Sequence, residues 1–267
     1  MLEKVRIAIV YKTEDAETVS IIDKIKRILK PSFLEEYSIS DLKKGLRGFD
    51  LVVSIGGDGT LLRTSRAVEN GSLILPVNMG KRGYLIEANR DNLESLLEEY
   101  GKGNFLVEKC FKLKIEYDDS VLSAVNEVVI RNVRGLKQIE LLVELGGGSF
   151  IVEGDGFLIS TPIGSSAYSL NAGGPFVLSN VGVLICTPLC ARRPLRPLII
   201  NKDELIRVKY LSGEEAHIIV DGEETLKMDP EKTVRITGSN EIVNIVRFSG
   251  SFNIKRMCRL IGGVENE

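Results

Sequence analysis

The chain has 267 residues, of which 27% are charged and 43% hydrophobic, and its formal net charge is −2. That length supports a large core and two domains, and the near-neutral balance excludes the basic surface on which nucleic acid is bound. No apolar run approaches a membrane span, and Met1-Leu2-Glu3-Lys4-Val5-Arg6 places charges where a signal peptide needs an apolar core, so a cytoplasmic protein with no membrane partner is expected.

The elements alternate through the first ninety residues. Residues 5–10 (Val-Arg-Ile-Ala-Ile-Val) read as a buried strand. A helix follows with Val19, Ile22, Ile25 and Ile28 or Leu29 on one face, and Pro31 stops it. Residues 51–55 and 73–77 give two further strands, with a helix after Thr60 between them that ends near Asn70-Gly71. Strands alternating with helices imply a parallel sheet flanked by helices, and ligands of such sheets sit beyond the carboxyl ends of the strands. Residues 91–100 read as a connecting helix.

Past Gly101-Lys102-Gly103 the hydrophobic period changes from about 3.6 to 2, as Phe111, Leu113, Ile115 and Tyr117 alternate with Lys112, Lys114 and Glu116. Turns at Asp118-Asp119, Gly146-Gly147-Gly148 and Asp221-Gly222 mark hairpins. A stripe of Ile254, Met257, Cys258 and Ile261 returns to helical spacing. The expected architecture is an α/β N-terminal domain with a parallel sheet, residues 1–90, followed by a mainly β domain, residues 91–249. A C-terminal helix, residues 250–267, packs back on the first domain.

Four cysteines (Cys110, Cys186, Cys190, Cys258) form no Cys-x-x-Cys pair and read as reduced thiols in or near the core. The single histidine, His217, argues against a histidine-based zinc site or a Ser-His-Asp hydrolase, so acid–base work is expected of carboxylates.

Residues 54–60, Ser-Ile-Gly-Gly-Asp-Gly-Thr, carry the sharpest chemical signal. A buried strand runs into a three-glycine turn with one carboxylate, and a helix begins at once. Glycines let backbone N–H groups approach a polyanion, and a helix N-terminus adds partial positive charge. Asp58 among such donors suits orienting a hydroxyl, a phosphate or a metal ion, so the segment is expected to serve phosphoryl transfer. It is not a P-loop, and Leu62 stands where a dinucleotide fingerprint needs its third glycine.

Two other segments stand out. In residues 155–175 a strand meets Thr161-Pro162, bends at Gly164, and leads to a short helix that Ser165 or Ser166 can cap and Gly173-Gly174-Pro175 ends. Its N-terminal turn, with hydroxyls and Tyr168, suits a nucleotide, although a polar capped helix between strands explains the same letters. Asn126-Glu127 interrupts the β-branched run 125–130 and puts a polar group on each face. Either a bound purine or ribose satisfies the buried one, or the strand is an edge with both groups in water.

Taken in this order, Gly56 to Thr60, Asn126-Glu127 and Asp155 to Pro175 resemble the NAD kinase family. The likeness covers almost the whole chain, including Pro76-Val77-Asn78-Met79-Gly80, Gly83-Tyr84-Leu85 and Arg196-Pro197-Leu198. The resemblance implies phosphorylation of NAD at the 2′-hydroxyl of its adenosine ribose to give NADP. The donor would be ATP or polyphosphate, Mg²⁺ or another divalent cation would be required, and the enzyme would be a homo-oligomer (dimer or tetramer) whose neighbouring subunit helps complete the site. By the same resemblance Asp58 is the catalytic carboxylate, and Gly56, Gly57, Gly59 and Thr60 form the phosphate loop. Asp58, Gly59, Arg63, Asn126, Glu127, Lys137, Asp155, Ser166, Ala167, Tyr168, Ser169, Leu170, Asn171 and Glu223 bind the NAD substrate.

Several letters depart from the family pattern: Ile163 and Ser166 replace threonines, Arg192-Arg193 stand where Pro-His-Ser is commoner, and Glu223 stands where glutamine is frequent. Related kinases acting on sugar phosphates or lipids share the glycine motif, and a non-catalytic dinucleotide sensor would keep the same fold.

Overall fold

The computed structural model describes residues 5–80, 83–135, 137–193, 195–230, 232–250 and 252–260. In chain order the elements are β1 (Arg6–Tyr11), α1 (Ala16–Leu29), β2 (Phe33–Ser38), β3 (Leu51–Gly56), α2 (Asp58–Ala67), β4 (Leu73–Asn78), β5 (Ala88–Asn89) and α3 (Leu93–Lys102). Next come β6 (Leu106–Tyr117), β7 (Ser120–Ala124), β8 (Glu127–Asn132), β9 (Ile139–Leu145), β10 (Gly148–Gly154), β11 (Gly156–Ser160) and the one-turn α4 (Tyr168–Asn171). The chain closes with β12 (Val183–Leu189), β13 (Leu198–Asn201), β14 (Ile206–Gly213), β15 (Ala216–Val220), β16 (Glu224–Lys227), β17 (Thr233–Arg247) and α5 (Phe252–Leu260). Two compact units result, residues 1–109 with 242–267, and residues 110–241.

The first unit is α/β. β2, β1, β3 and β4 pair in parallel in that order, and the end of β17 joins β4 through Asn244 and Ile245. Ile7, Ile9, Leu51, Val53, Leu75 and Val77 point to one face and are almost wholly buried against α1 and α3. Each such side chain stabilises the fold by about 1.5–3 kcal/mol relative to exposure. α1 starts because the Asp15 carboxylate accepts the Thr18 N–H at 2.8 Å, and it stops at Lys30, which adopts a left-handed φ of 45°.

Two sequence expectations in this unit need correction. Val19 is 45% exposed; the buried face of α1 is Thr18, Ile21, Ile22 and Ile25, because a strict step of three residues walks round a 3.6-residue turn. In α5 the buried residues are Phe252 and Arg256, one helical turn apart, while Ile254 is exposed and Ile261 lies outside the described residues. β2 (Phe-Leu-Glu-Glu-Tyr-Ser) is a polar edge strand with no clean alternation, so its letters carry no strand signal.

The second unit is almost entirely antiparallel. One sheet runs β13-β12-β11-β8-β15-β16, and in a second layer β10, β9, β14 and the first half of β17 pair in order, with β6 and β7 forming a hairpin. The hairpin turns fall at Asp118-Asp119, Gly146-Gly147 and Asp221-Gly222, with positive φ at Asp118, Gly146, Gly147, Asp221 and Gly222. β8 lies between β11 and β15, so the edge-strand alternative for Asn126-Glu127 falls away. The helix after Ser166 is capped by Ala167 and not by a serine; the Ser165 hydroxyl instead bonds both polar backbone groups of Val177.

Candidate active site

The glycine segment forms as its letters dictate. β3 is buried along its whole length, and Gly57 is the N-cap of α2, so Asp58 is the first helical residue. A side chain at Gly56 would place its Cβ 2.2 Å from the Thr60 hydroxyl, so only glycine lets the strand turn so sharply beneath the helix. At Gly57 and Gly59 a Cβ would meet no atom within 4 Å, leaving the outer face of the loop as bare backbone. Thr60 is buried and its N–H goes to the Gly57 carbonyl at 2.9 Å, so Thr60 braces the turn from within. Below it, Thr64 bonds the Thr60 carbonyl at 2.8 Å and meets the Ser54 hydroxyl at 3.2 Å. Arg63 projects from the exposed side of α2.

Asp58 is half-buried and clamped. Its Oδ2 accepts the N–H of Tyr84 and its Oδ1 the N–H of Leu85, both at 3.0 Å. Two donors orient the carboxylate while leaving each oxygen with further acceptor capacity. Tyr84 also lines a cavity of ≈ 500 Å³ with Asn78, Glu87, Asn92, Phe252 and Lys255. Its amides are spent locally: Asn78 bonds both polar groups of Gly80, and Asn92 bonds the Asn89 N–H and the Glu87 carbonyl. Burial raises the Glu87 carboxyl above its ordinary value, against the opposing pull of the Phe248 N–H.

In the second unit, Asn126, Glu127 and the 161–166 loop are brought together. Asp221 Oδ1 accepts the N–H groups of Asn126 at 2.8 Å and Glu127 at 3.1 Å, and Oδ2 that of Val125 at 2.9 Å. Thr161 bonds the Val125 carbonyl through its hydroxyl at 2.6 Å and the Asn126 carbonyl through its N–H at 2.9 Å. A Cβ at Gly164 would lie 2.2 Å from the Asn126 carbonyl oxygen, so this glycine is fixed by close approach. Asn126 and Glu127 are each 7% exposed, and Asn126 Oδ1 and Glu127 Oε2 have no hydrogen-bond partner among the described residues. Burial, reinforced by the Asp221 charge, pushes the Glu127 carboxyl up to about 8, so it is mostly protonated at neutral pH and can donate as well as accept.

The remaining expected residues spread further. Asp155 precedes β11 at the end where Gly156 pairs with Arg131, whereas Asn126 and Glu127 stand at the opposite end, where Ser160 pairs with Glu127. The Asp155 carboxylate accepts the Cys190 thiol and holds it above its ordinary range. Lys137 is exposed, and its carbonyl accepts from Asn132, whose N–H bonds the Asp155 carbonyl. Lys137 and Asp155 therefore form one neighbourhood, apart from Asn126. Ser166, Ala167 and Leu170 are half-buried, Tyr168 and Asn171 are exposed, and Ser169 is buried with its hydroxyl 3.1 Å from that of Thr187. Glu223 is exposed past the Asp221 turn, where its N–H bonds the Val220 carbonyl. Sequence reasoning missed Asp221, which it read only as a turn residue. Its signal, an acidic residue before glycine at a strand end, is too common to single out.

Comparison with known proteins agrees along the chain. Residues 41–105 match the model of the ATP-NAD kinase N-terminal domain, and residues 99–248 that of the ATP-NAD kinase C-terminal domain. The chain is 33% identical to the NAD kinase of Methanothermobacter thermautotrophicus over 280 residues, covering 98% of each, and 33% identical to that of Methanopyrus kandleri over 223 residues, covering 81% of this chain and 79% of the relative. Among solved structures, an NAD kinase from Archaeoglobus fulgidus in complex with ATP is 26% identical with a TM-score of 0.80, covering 97% of this chain and 100% of that one. Yeast NADH kinase complexed with NADH, 18% identical with a TM-score of 0.83 over 100% and 90% of the chains, shares the fold. With both family models matched in order and a relative 33% identical over 98% of each chain, the chain belongs to the NAD kinase family.

Proposed function

We propose that the protein transfers the γ-phosphoryl group of ATP to the 2′-hydroxyl of the adenosine ribose of NAD, giving NADP and ADP. The observation that carries this reading is Asp58, held by the Tyr84 and Leu85 N–H groups at the start of α2 beside a loop of bare backbone. In the transfer the ribose O2′ bonds to the γ-phosphorus, the bond from that phosphorus to the β–γ bridging oxygen breaks, and ADP leaves. The hydroxyl proton passes to Asp58. A loose transition state leaves little covalent work to the protein, so the main contribution of Asp58 is to hold the hydroxyl in line. The first-turn N–H groups of α2, its dipole and Arg63 provide positive potential for the phosphates.

Among the described residues no three His, Cys, Asp or Glu side chains form a group able to hold a metal ion. Mg²⁺ in this reading enters with the nucleotide phosphates, where it needs at most one or two protein carboxylates. Asn126 Oδ1 and the neutral Glu127 carboxyl offer the acceptor and donor that a ribose or purine edge of NAD requires. Lys137, Asp155, residues 166–171 and Glu223 complete NAD binding in this reading, which also carries a homo-oligomer and a cytoplasmic setting. No helix among the described residues is long and apolar enough to cross a membrane.

The test is NADP formation by purified protein given MgATP and NAD, with polyphosphate and NADH as alternative donor and acceptor. NADP accumulating with equal ADP is the expected result. NAD binding without product would replace this reading with a sensor, and neither binding nor product would point to a different acceptor.

A further inference from the structure

Behind the clamp on Asp58 lies a buried ion pair. Arg247, at the end of β17, is 3% exposed. Its Nε donates to Glu108 Oε2 at 2.6 Å, and its Nη2 lies 2.6 Å from the same oxygen. Its Nη1 donates to the Leu85 carbonyl at 2.8 Å. The other Glu108 oxygen accepts from Asn253 at 3.0 Å, and the guanidinium lies 4.0 Å over the Phe252 ring. The Leu85 N–H is one of the two donors on Asp58, and the Leu85 side chain is 4% exposed.

Leu85 is thus pinned at its carbonyl, its N–H and its side chain. Only two soft dihedrals separate the N–H and carbonyl of one residue, so fixing the carbonyl restricts the direction in which the N–H can point. A buried ion pair is weak support for stability, because apolar side chains of similar volume hold a core as well. Its value here is the second hydrogen bond, from Nη1 to the Leu85 carbonyl, which a planar fork makes while its Nε stays bonded to Glu108.

We infer that Arg247, held by Glu108 and Phe252, is a positioning residue for phosphoryl transfer, acting through Leu85 on the orientation of Asp58. The inference rests on the role proposed for Asp58 above.

The experiment is a kinetic double-mutant cycle with Arg247→Lys and Asp58→Asn, following NADP formation at saturating NAD and MgATP. Arg247→Lys is expected to lower kcat roughly 10- to 100-fold, the scale of an ångström of misplacement, with KM for both substrates changed by less than about twofold. In the Asp58→Asn background the same substitution is expected to cost less than about twofold, because residues acting as a unit are not additive. An unchanged kcat, or an equal loss in both backgrounds, overturns the inference. If Arg247→Lys does not fold, Phe252→Leu loosens the guanidinium without touching the charges, and a loss of about 2- to 10-fold confined to the Asp58 background is expected. An equal loss in both backgrounds overturns it again. Full turnover in Asp58→Asn alone overturns the role of Asp58 and this inference together. A slow Asp58→Asn with equal Arg247→Lys losses removes only the Arg247 link.

Discussion

Asp221, in the turn after β15, is tied to Glu127, the first residue of β8: Asp221 Oδ1 accepts the Glu127 N–H at 3.1 Å, and the Asp221 charge helps keep the Glu127 carboxyl neutral. Three backbone N–H groups point at the Asp221 carboxylate, and burial together with that charge penalises the ionised form of Glu127. In the proposed reading the neutral Glu127 carboxyl is the donor to NAD at the start of β8.

A pH dependence follows. The Glu127 carboxyl is raised from an ordinary 4.5 to about 8, so between those values the folded protein holds a proton that the unfolded chain has released. Stability therefore falls as pH rises through that window, and is fully retained only below the lower value. NAD affinity is expected to fall as pH rises through about 8, where Glu127 ceases to donate. Glu127→Gln, which donates at every pH, should flatten both trends. Thermal unfolding and NAD titration across this range check it, and equal slopes in the two proteins would contradict it.

Asn126 separates ligand binding from structure, because its backbone is already held by Asp221 and Thr161 while its Oδ1 has no partner among the described residues. Asn126→Ala is expected to weaken NAD binding by about 1–3 kcal/mol, the cost of leaving a partner group unpaired, and to leave the apparent affinity for ATP nearly unchanged. A destabilised protein with unaltered NAD affinity would end the ligand assignment.

The glycines of the loop should part company. Gly56→Ala forces a Cβ to 2.2 Å from the Thr60 hydroxyl and is expected to lower the melting temperature markedly. Gly57→Ala meets nothing within 4 Å, so its fold should hold while turnover drops through blocked approach of the phosphates. Melting curves and NADP assays on both variants decide this; a Gly57→Ala enzyme of full activity would mean that the loop does not face the phosphates.

What was legible in the sequence was local. The strand, glycine turn and helix around Asp58 could be read because burial of β3 and the needs of a sharp turn are written in adjacent letters. The meeting of Asn126-Glu127 with residues 161–166 was suggested only by likeness to a family, since those contacts join distant strands. Asp221 escaped notice because its three partners lie 94 to 96 residues away. Arg247 escaped for the same reason: the end of a strand looks like any solvated arginine until Glu108 and Leu85 are beside it. The face of α1 was misplaced because stepping by three ignores the mixed three-and-four spacing of a buried helical stripe, whereas in α5 a buried residue is the charged Arg256, which no apolar pattern marks.

The central claim is that Asp58 orients the ribose hydroxyl for phosphoryl transfer from ATP. Its most direct test is the rate of NADP formation by Asp58→Asn against the unaltered protein, measured together with NAD binding to each. Turnover is expected to fall by roughly 10²- to 10⁴-fold, the range for loss of a positioned acid–base group, while NAD affinity is retained. Near-normal turnover would contradict the claim, and loss of NAD binding by a folded variant would instead make Asp58 a substrate ligand.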